Sequence, residues 1–189
     1  FNVTANLFDI QGTSTRVINM GSGTWTANRT NGTAWAAAAT GITLNANSST
    51  ILITDAGASN KTFAGAGLTY NKLSITGGGA GSVNFTGANT FANLPQITGG
   101  TKTIKFTAGT TTTFTGGTSF GNGSNLITIA SITAATHTLS KASGTISGTS
   151  LNITNSIATG GAAWYAGATP PSVDSGGNTG WIFSAAPSG

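Results

Sequence analysis

The sequence predicts an all-β protein built as a single parallel β-solenoid, and we expect its coil to be a right-handed β-helix. Apolar pairs recur along the chain with their two members separated by one residue, and the pairs recur about every twenty residues. Helix signals are almost missing, because the Ala-rich run at 34–40 is too short to hold a helix unaided.

Seven apolar pairs mark the predicted strands. Both members of a pair face one side of a sheet, because alternate residues of a strand point to the same face. Turn-forming Gly, Asn, Ser and Asp separate the pairs. In chain order the strands are ITL (42–44), ILI (51–53), LSI (73–75), VNF (83–85), IKF (104–106), ITI (127–129) and LNI (151–153).

The spacing of the pairs predicts their register. From Phe85, the second members of successive pairs follow at intervals of 21, 23 and 24 residues, at Phe106, Ile129 and Ile153. We expect these four side chains to point inward and to stack in adjacent turns. The step from Ile53 to Phe85 is 32 residues, which we interpret as a turn with an insertion.

Three longer segments share one pattern of an apolar pair, a Thr, a small-residue corner and a closing Phe. They are ILITDAGASNKTF, VNFTGANTF and IKFTAGTTTTF, which end at Phe63, Phe91 and Phe114. One turn of about twenty residues cannot bury its own inward side chains, whereas stacked turns share a continuous core. A β-sandwich of short strands is the main alternative.

The C-terminal segment GGAAWYAGATPPSVDSGGNTGWIF (160–183) differs from the rest of the chain in its large aromatics. We predict solenoid rungs over 1–160, an aromatic capping segment over 161–183 and a tail over 184–189. In this hypothesis Trp164 and Trp181 are buried against the final turn, and Pro170 and Pro171 end the ladder because Pro has no N–H to donate. The alternatives are a sugar-binding platform, in which Trp164, Tyr165 and Trp181 contact a glycan, and a weak calcium loop at DSGGN (174–178).

Composition and charge exclude several functional classes. The net charge is +4, but the cations are scattered, which does not favour nucleic acid. No apolar run approaches the roughly 18 residues of a membrane helix, so we expect no membrane insertion. Cysteine is absent. The chain starts without Met or a signal pattern while strand patterning is already under way, so we expect it to be part of a longer polypeptide.

Few residues offer chemistry. The carboxylates are Asp9, Asp55 and Asp174, which lie far apart in sequence, whereas glycosidases use two carboxylates about 5 to 10 Å apart. The single imidazole, His137, is expected to be a strand histidine that faces solvent. With no strained G-x-S-x-G elbow and no cluster of metal ligands, we expect no catalytic residues, no cofactor and no metal.

A resemblance adds a functional expectation. The words GTWTANRTNGTAW, KTFAGAGLTYNKLSI, GANTFANL, FTAGTTTTF, THTLSKASGTIS and ATGGAAWYAGATPPSVDSGGNTGWIF occur in that order. Together they resemble a β-helical module that recurs in large phage virion proteins and bacterial cell-surface proteins. The resemblance implies a non-enzymatic exterior protein: a phage tail fibre, spike or head decoration, with a bacterial adhesin or carbohydrate-binding module as the alternative. It implies other virion or cell-surface proteins, further copies of the chain or a surface glycan as partners, at the virion surface or outside the cell.

Overall fold

The computed structural model describes residues 1–54, 56–120, 125–167 and 171–187, and these form only short strands, turns and bends. No helix long and apolar enough to cross a membrane occurs in this part of the chain. The strands are β1 (Val3–Ala5), β2 (Phe8–Ile10), β3 (Arg16–Asn19), β4 (Thr24–Ala27), β5 (Gly32–Ala37), β6 (Ile42–Asn45), β7 (Thr50–Thr54), β8 (Lys61–Ala64), β9 (Thr69–Tyr70), β10 (Lys72–Thr76), β11 (Val83–Thr86), β12 (Thr90–Phe91), β13 (Gln96–Thr98), β14 (Lys102–Phe106), β15 (Thr111–Phe114), β16 (Ser119–Phe120), β17 (Ile127–Ser131), β18 (His137–Lys141), β19 (Thr145–Gly148), β20 (Leu151–Ile153), β21 (Ser156–Thr159), β22 (Ala163–Ala166), β23 (Val173–Asp174) and β24 (Trp181–Ile182).

The strands wind into a coil with three faces, which the chain visits in turn. Face one holds β1 and every third strand to β22, followed by β24; face two holds β2, β5 and onward to β23; face three holds β3, β6 and onward to β21. Face two is one sheet of eight strands, so about seven turns of the coil separate its ends. Face one is divided between β13 and β16, and face three between β6 and β9.

This arrangement confirms the β-solenoid and excludes the sandwich. Every pairing between the named strands is parallel and joins a strand to one in the next turn. A sandwich of short strands is built from antiparallel pairs of chain neighbours. All seven predicted strands lie within observed strands, and the Ala run at 34–40 begins in β5.

The interior contains a continuous column of aromatic rings. Neighbouring rings in this aromatic column have centroids 5.3 to 6.5 Å apart. Aliphatic side chains on the three faces fill the space around the rings. A domain core is therefore stretched along the axis of the coil, and each turn shares it with the next. The members of the column are Trp25, Trp35, Phe63, Phe91, Phe114, Phe120, Trp164 and Trp181.

The predicted inward row is buried, but its register is partly wrong. Phe85, Phe106, Ile129 and Ile153 are all buried. Phe85 pairs with Phe106, and Ile129 pairs with Ile153. Phe106, however, pairs with Ser131, because this turn is two residues longer than the apolar spacing indicated. Hydrogen bonding along the whole strand sets the register, and an inward Ser is compatible with it.

The predicted insertion before Phe85 does not exist. Ile53 lies on face one, where it pairs with Ile75, whereas Phe85 lies on face two and pairs with Phe63. The interval of 32 residues therefore joins two different faces in different turns. For the same reason the alignment of Phe63 with Phe91 is wrong, although Phe91 does pair with Phe114.

The expected capping segment, 161–183, contributes three strands to the coil. Strands β22 and β24 extend face one, and β23 is the last strand of face two. Their partners in the preceding turn are β19, β22 and β20. Pro170 lies outside the described residues, and Pro171 precedes β23.

Candidate functional site on face one and at the aromatic end

The two tryptophans of the C-terminal segment are buried, as the capping hypothesis requires. Trp164 and Trp181 are paired residues of β22 and β24 and are 1% and 9% exposed. Their rings meet edge to face, with centroids 5.3 Å apart and planes at 69°. The indole N–H of Trp164 donates to the Thr159 carbonyl at 3.2 Å, and that of Trp181 donates to Ser156 Oγ at 3.0 Å. Neither ring therefore offers an exposed face on which a sugar could stack.

Tyr165 lies on the outer side of the same strand and is half-buried. It is in register with Ser147 of β19, which in turn pairs with Ser119 of β16. These three side chains line a cavity of about 210 Å³, which the C-terminal residues Ala185 and Ala186 close on one side. Of the three aromatics singled out in the sequence, Tyr165 is the one beside a cavity.

A second cavity, of about 380 Å³, adjoins the first on face one. Ser119 lines both cavities, and Lys72, Asn93 and Gln96 line the second. We call the two together the face-one trough. It passes five successive face-one strands, β10, β13, β16, β19 and β22, so at the usual spacing of strands it is about 19 Å long.

The trough exists because the ladder of face one is interrupted. Adjacent turns stay hydrogen-bonded as far as Thr115, whose N–H donates to the Phe91 carbonyl at 2.9 Å. They still touch at Leu94 and Gly117, where a Cβ on the glycine would lie 2.8 Å from the Leu94 nitrogen. Pro95 follows and has no N–H to offer either neighbour. Beyond this point β13 and β16, though neighbours, belong to separate sheets.

The trough is nearly neutral and carries one cation. Lys72 is the only charged residue in the face-one strands, and its ammonium group makes no hydrogen bond or ion pair with the described residues. Hydroxyl groups of Ser119, Ser147 and Tyr165, and the amides of Asn93 and Gln96, supply neutral donors and acceptors.

The described carboxylates do not form a pair. Asp9 and Asp174 lie on face two in its first and last strands, so at the usual strand spacing they are about 34 Å apart. Asp9 accepts a hydrogen bond from the Gln11 N–H at 3.0 Å. Asp55 lies outside the described residues.

The DSGGN loop uses its oxygens to close a turn. Asp174 Oδ1 accepts from the Gly176 N–H at 2.9 Å and from Asn178 Nδ2 at 2.6 Å. Asn178 also donates to the Ile153 carbonyl at 2.7 Å and thereby ties the loop to the preceding turn. In the part of the chain that the structure describes, no three His, Asp or other ligand residues cluster as a metal site would require.

The prediction that His137 faces solvent is wrong. Its imidazole is 0% exposed and stacks on Phe106, with ring centroids 5.0 Å apart. Burial lowers the pKa of His137 to about 4, so the ring is neutral at pH 7. His137 and Leu139 alternate with outward residues of β18, which places both in the core.

His137 is joined to a serine inside the core. Nδ1 lies 2.8 Å from Ser131 Oγ, and this hydroxyl donates to the Asn155 carbonyl at 3.1 Å. Since the hydroxyl has one proton, Nδ1 is the donor to Ser131, and Nε2 carries a lone pair without a partner. The pair is shielded from solvent, so we assign it a structural role.

Two buried lysines were missed in the sequence. Lys61 and Lys102 are buried on face two, where each alternates with inward Phe63 or Ile104. Lys61 Nζ donates to the Ser59 carbonyl at 3.0 Å, and Lys102 Nζ to that of Gly79 at 2.6 Å. Burial lowers the pKa of both amines. The two-residue alternation with apolar neighbours is the signal that would have identified them.

The comparisons with known proteins come after this geometry. Set against protein-family models, curated proteins and solved structures, the chain matches none of them.

Proposed function

We propose that this chain is a non-enzymatic structural element of a virion exterior, part of a phage tail fibre, spike or head decoration. It acts there as a rigid β-helical spacer or attachment element beside other virion proteins or further copies of itself. The virion setting rests on the resemblance in the order of sequence words, and the mechanical role rests on the physics of the coil.

The observation that carries the mechanical role is the aromatic column. A coil that bends must separate rings on one side, and each separation exposes apolar surface at about 25 cal/mol per Å². The column spans from Trp25 to Trp181 with no gap between successive rings. Parallel ladders around it satisfy the backbone polar groups, so stretching or bending the coil also costs hydrogen bonds.

The absence of catalysis is part of the proposal. Two carboxylates at opposite ends of face two cannot act on one glycosidic bond. The test is incubation of the purified chain with capsular and cell-wall glycans, with reducing ends as the readout. We expect no turnover. Turnover that disappears in Asp55→Ala or Asp174→Ala would contradict the proposal.

The second candidate is a bacterial cell-surface adhesin or carbohydrate-binding module. It is favoured by the face-one trough, which offers hydroxyls, amides and one aromatic ring within a single groove. Both candidates use the same rigid coil and differ in where it is attached.

The setting is tested by electron microscopy with antibodies raised against the chain. Material from the organism that carries the sequence is separated into virus particles and cell envelopes. Label on particles supports the virion role, whereas label confined to envelopes supports the adhesin. Limited trypsin digestion tests rigidity, with the heat-unfolded chain as control. We expect the native coil to survive, and rapid cleavage within it would contradict a spacer role.

A further inference from the structure

The face-one trough interrupts a structure that is otherwise repetitive. Along face two the ladder passes through all eight strands, while face one is broken at Pro95, where the trough widens to its larger cavity. Departures from the regular pattern of a fold are concentrated at functional sites, because a spacer alone does not need them. The break creates a groove without disturbing the core, since Leu94 and Ile97 stay buried beneath it.

An additional β-strand does not fit in the break. The turns touch at Leu94 and Gly117, and a Cβ on that glycine would also lie 3.1 Å from the Leu94 side chain. A peptide that pairs as a strand needs about 4.8 Å on each side. The occupant must therefore lie over the groove and be recognised through side chains.

The lining chemistry indicates the occupant. Neutral donors and acceptors recur at successive strands, on Gln96, Ser119 and Ser147, along the axis of the coil. Such groups suit a chain of hydroxyl-bearing units, and the ring of Tyr165 supplies an apolar face with a polar tip at one end. Lys72 at the other end pairs with a carboxylate.

We propose that the face-one trough binds a linear oligosaccharide along the coil axis, with an acidic sugar at the Lys72 end. The sugar near Tyr165 packs against its ring, and the intervening hydroxyls bond to Ser119, Ser147 and the amides. This assignment adds to the proposed spacer role and does not depend on it, because the coil is rigid with or without a ligand.

The test is binding of two probes to the purified chain, measured by calorimetry. Tetragalacturonate is the acidic probe, and cellotetraose is the neutral one. We expect the acidic probe to bind more tightly and to weaken as salt is raised. Lys72→Gln should weaken the acidic probe about five-fold and leave the neutral probe unchanged. Tyr165→Ala should weaken both about ten-fold.

Two further variants make the test specific. Ser119→Trp fills the junction of the two cavities from an exposed position and should abolish binding of both probes at unchanged melting temperature. Lys105→Gln removes a half-buried cation from face two and should change nothing, which controls for net charge.

Three outcomes would overturn the assignment. These are no binding of either probe at millimolar concentration, binding that survives Ser119→Trp, or an acidic peptide that occupies the trough while both sugars fail. Each of these leaves the protease resistance of the coil untouched, so a failed glycan site is distinguished from a failed spacer.

Discussion

At the scale of single residues, the interior of the coil admits polar groups that the sequence pattern did not assign to it. His137 occupies the same row as Leu139, and Ser131 stands opposite Phe106 in the ladder. Their mutual hydrogen bond offsets part of the cost of burying both. Nε2 of the ring has no partner, so a proton added there would be a buried charge.

The stability of the protein should therefore fall in mild acid through His137. Its pKa is about 4 in the folded chain and 6.5 in the unfolded chain, so the unfolded state binds the proton first as pH falls. Stability is fully present above pH 6.5 and is lost between pH 6.5 and 4, by about 3 kcal/mol.

Denaturant unfolding at pH 4 and pH 7 measures this loss. In His137→Phe, which keeps an aromatic ring on Phe106, the difference between the two pH values should shrink by that amount. An equal loss in the variant would assign the acid sensitivity to other groups.

Burial of Trp164 predicts a large cost for its removal. Trp164→Ala leaves a cavity in the aromatic column and frees the Thr159 carbonyl, so we expect a loss of roughly 3 to 5 kcal/mol in unfolding free energy. Tyr165→Ala is the matched control, because its half-buried ring lies on the outer side of the same strand, and it should cost much less. An unchanged melting temperature for Trp164→Ala would contradict the capping hypothesis.

At the scale of strands and corners, the close contact between turns restricts side chains at particular glycines. Gly180 precedes β24, and a Cβ there would lie 2.0 Å from the Ala158 carbonyl oxygen of the turn below. Gly87 has the same φ of +79°, but a Cβ there meets nothing within 4 Å. The two positions separate backbone strain from contact between turns.

We expect Gly87→Ala to cost about 1 to 2 kcal/mol, which is the strain of the left-handed conformation alone. Gly180→Ala should cost more, because backbone atoms of two turns must move apart and β24 must detach. Urea unfolding gives the two costs, and the fluorescence of Trp181 reports whether the last strand has separated. Equal costs would show that the contact near Ala158 is not limiting.

At the scale of the whole molecule, the coil is a one-dimensional stack in which each turn contacts mainly the next. The long-range contacts are dominated by strands of adjacent turns on the same face. A complete turn is therefore expected to be removable, provided that the three faces stay in register.

Deletion of residues 83–103 tests this expectation. It joins Ser82 to Ile104, which takes the place of Val83, and it brings Phe106 over Phe63. The shortened chain should fold cooperatively and be about 5 Å shorter by small-angle scattering. Deletion of 83–93 removes half a turn and should abolish folding, because faces two and three then exchange places. Failure of both deletions would contradict the stack.

The sequence alone determined the fold class and the positions of the main strands. Pairs such as Val83 and Phe85, or Leu151 and Ile153, alternate with polar residues and recur at the length of a turn. This local chemistry has one compact solution, because neither pair can be buried within its own turn. The sequence likewise directed attention to Trp164, Tyr165 and Trp181.

Only the tertiary structure decided which face each pair occupies and which groups lie inside. Turn lengths vary, so the distance from Ile53 to Phe85 does not reveal that a corner of the coil lies between them. Periodicity of two places His137 and Lys102 on the inner side of a strand only once the inner side is known. The face-one trough arises where Pro95 ends hydrogen bonding between two turns, and that depends on which residues of distant turns meet, which no local pattern records.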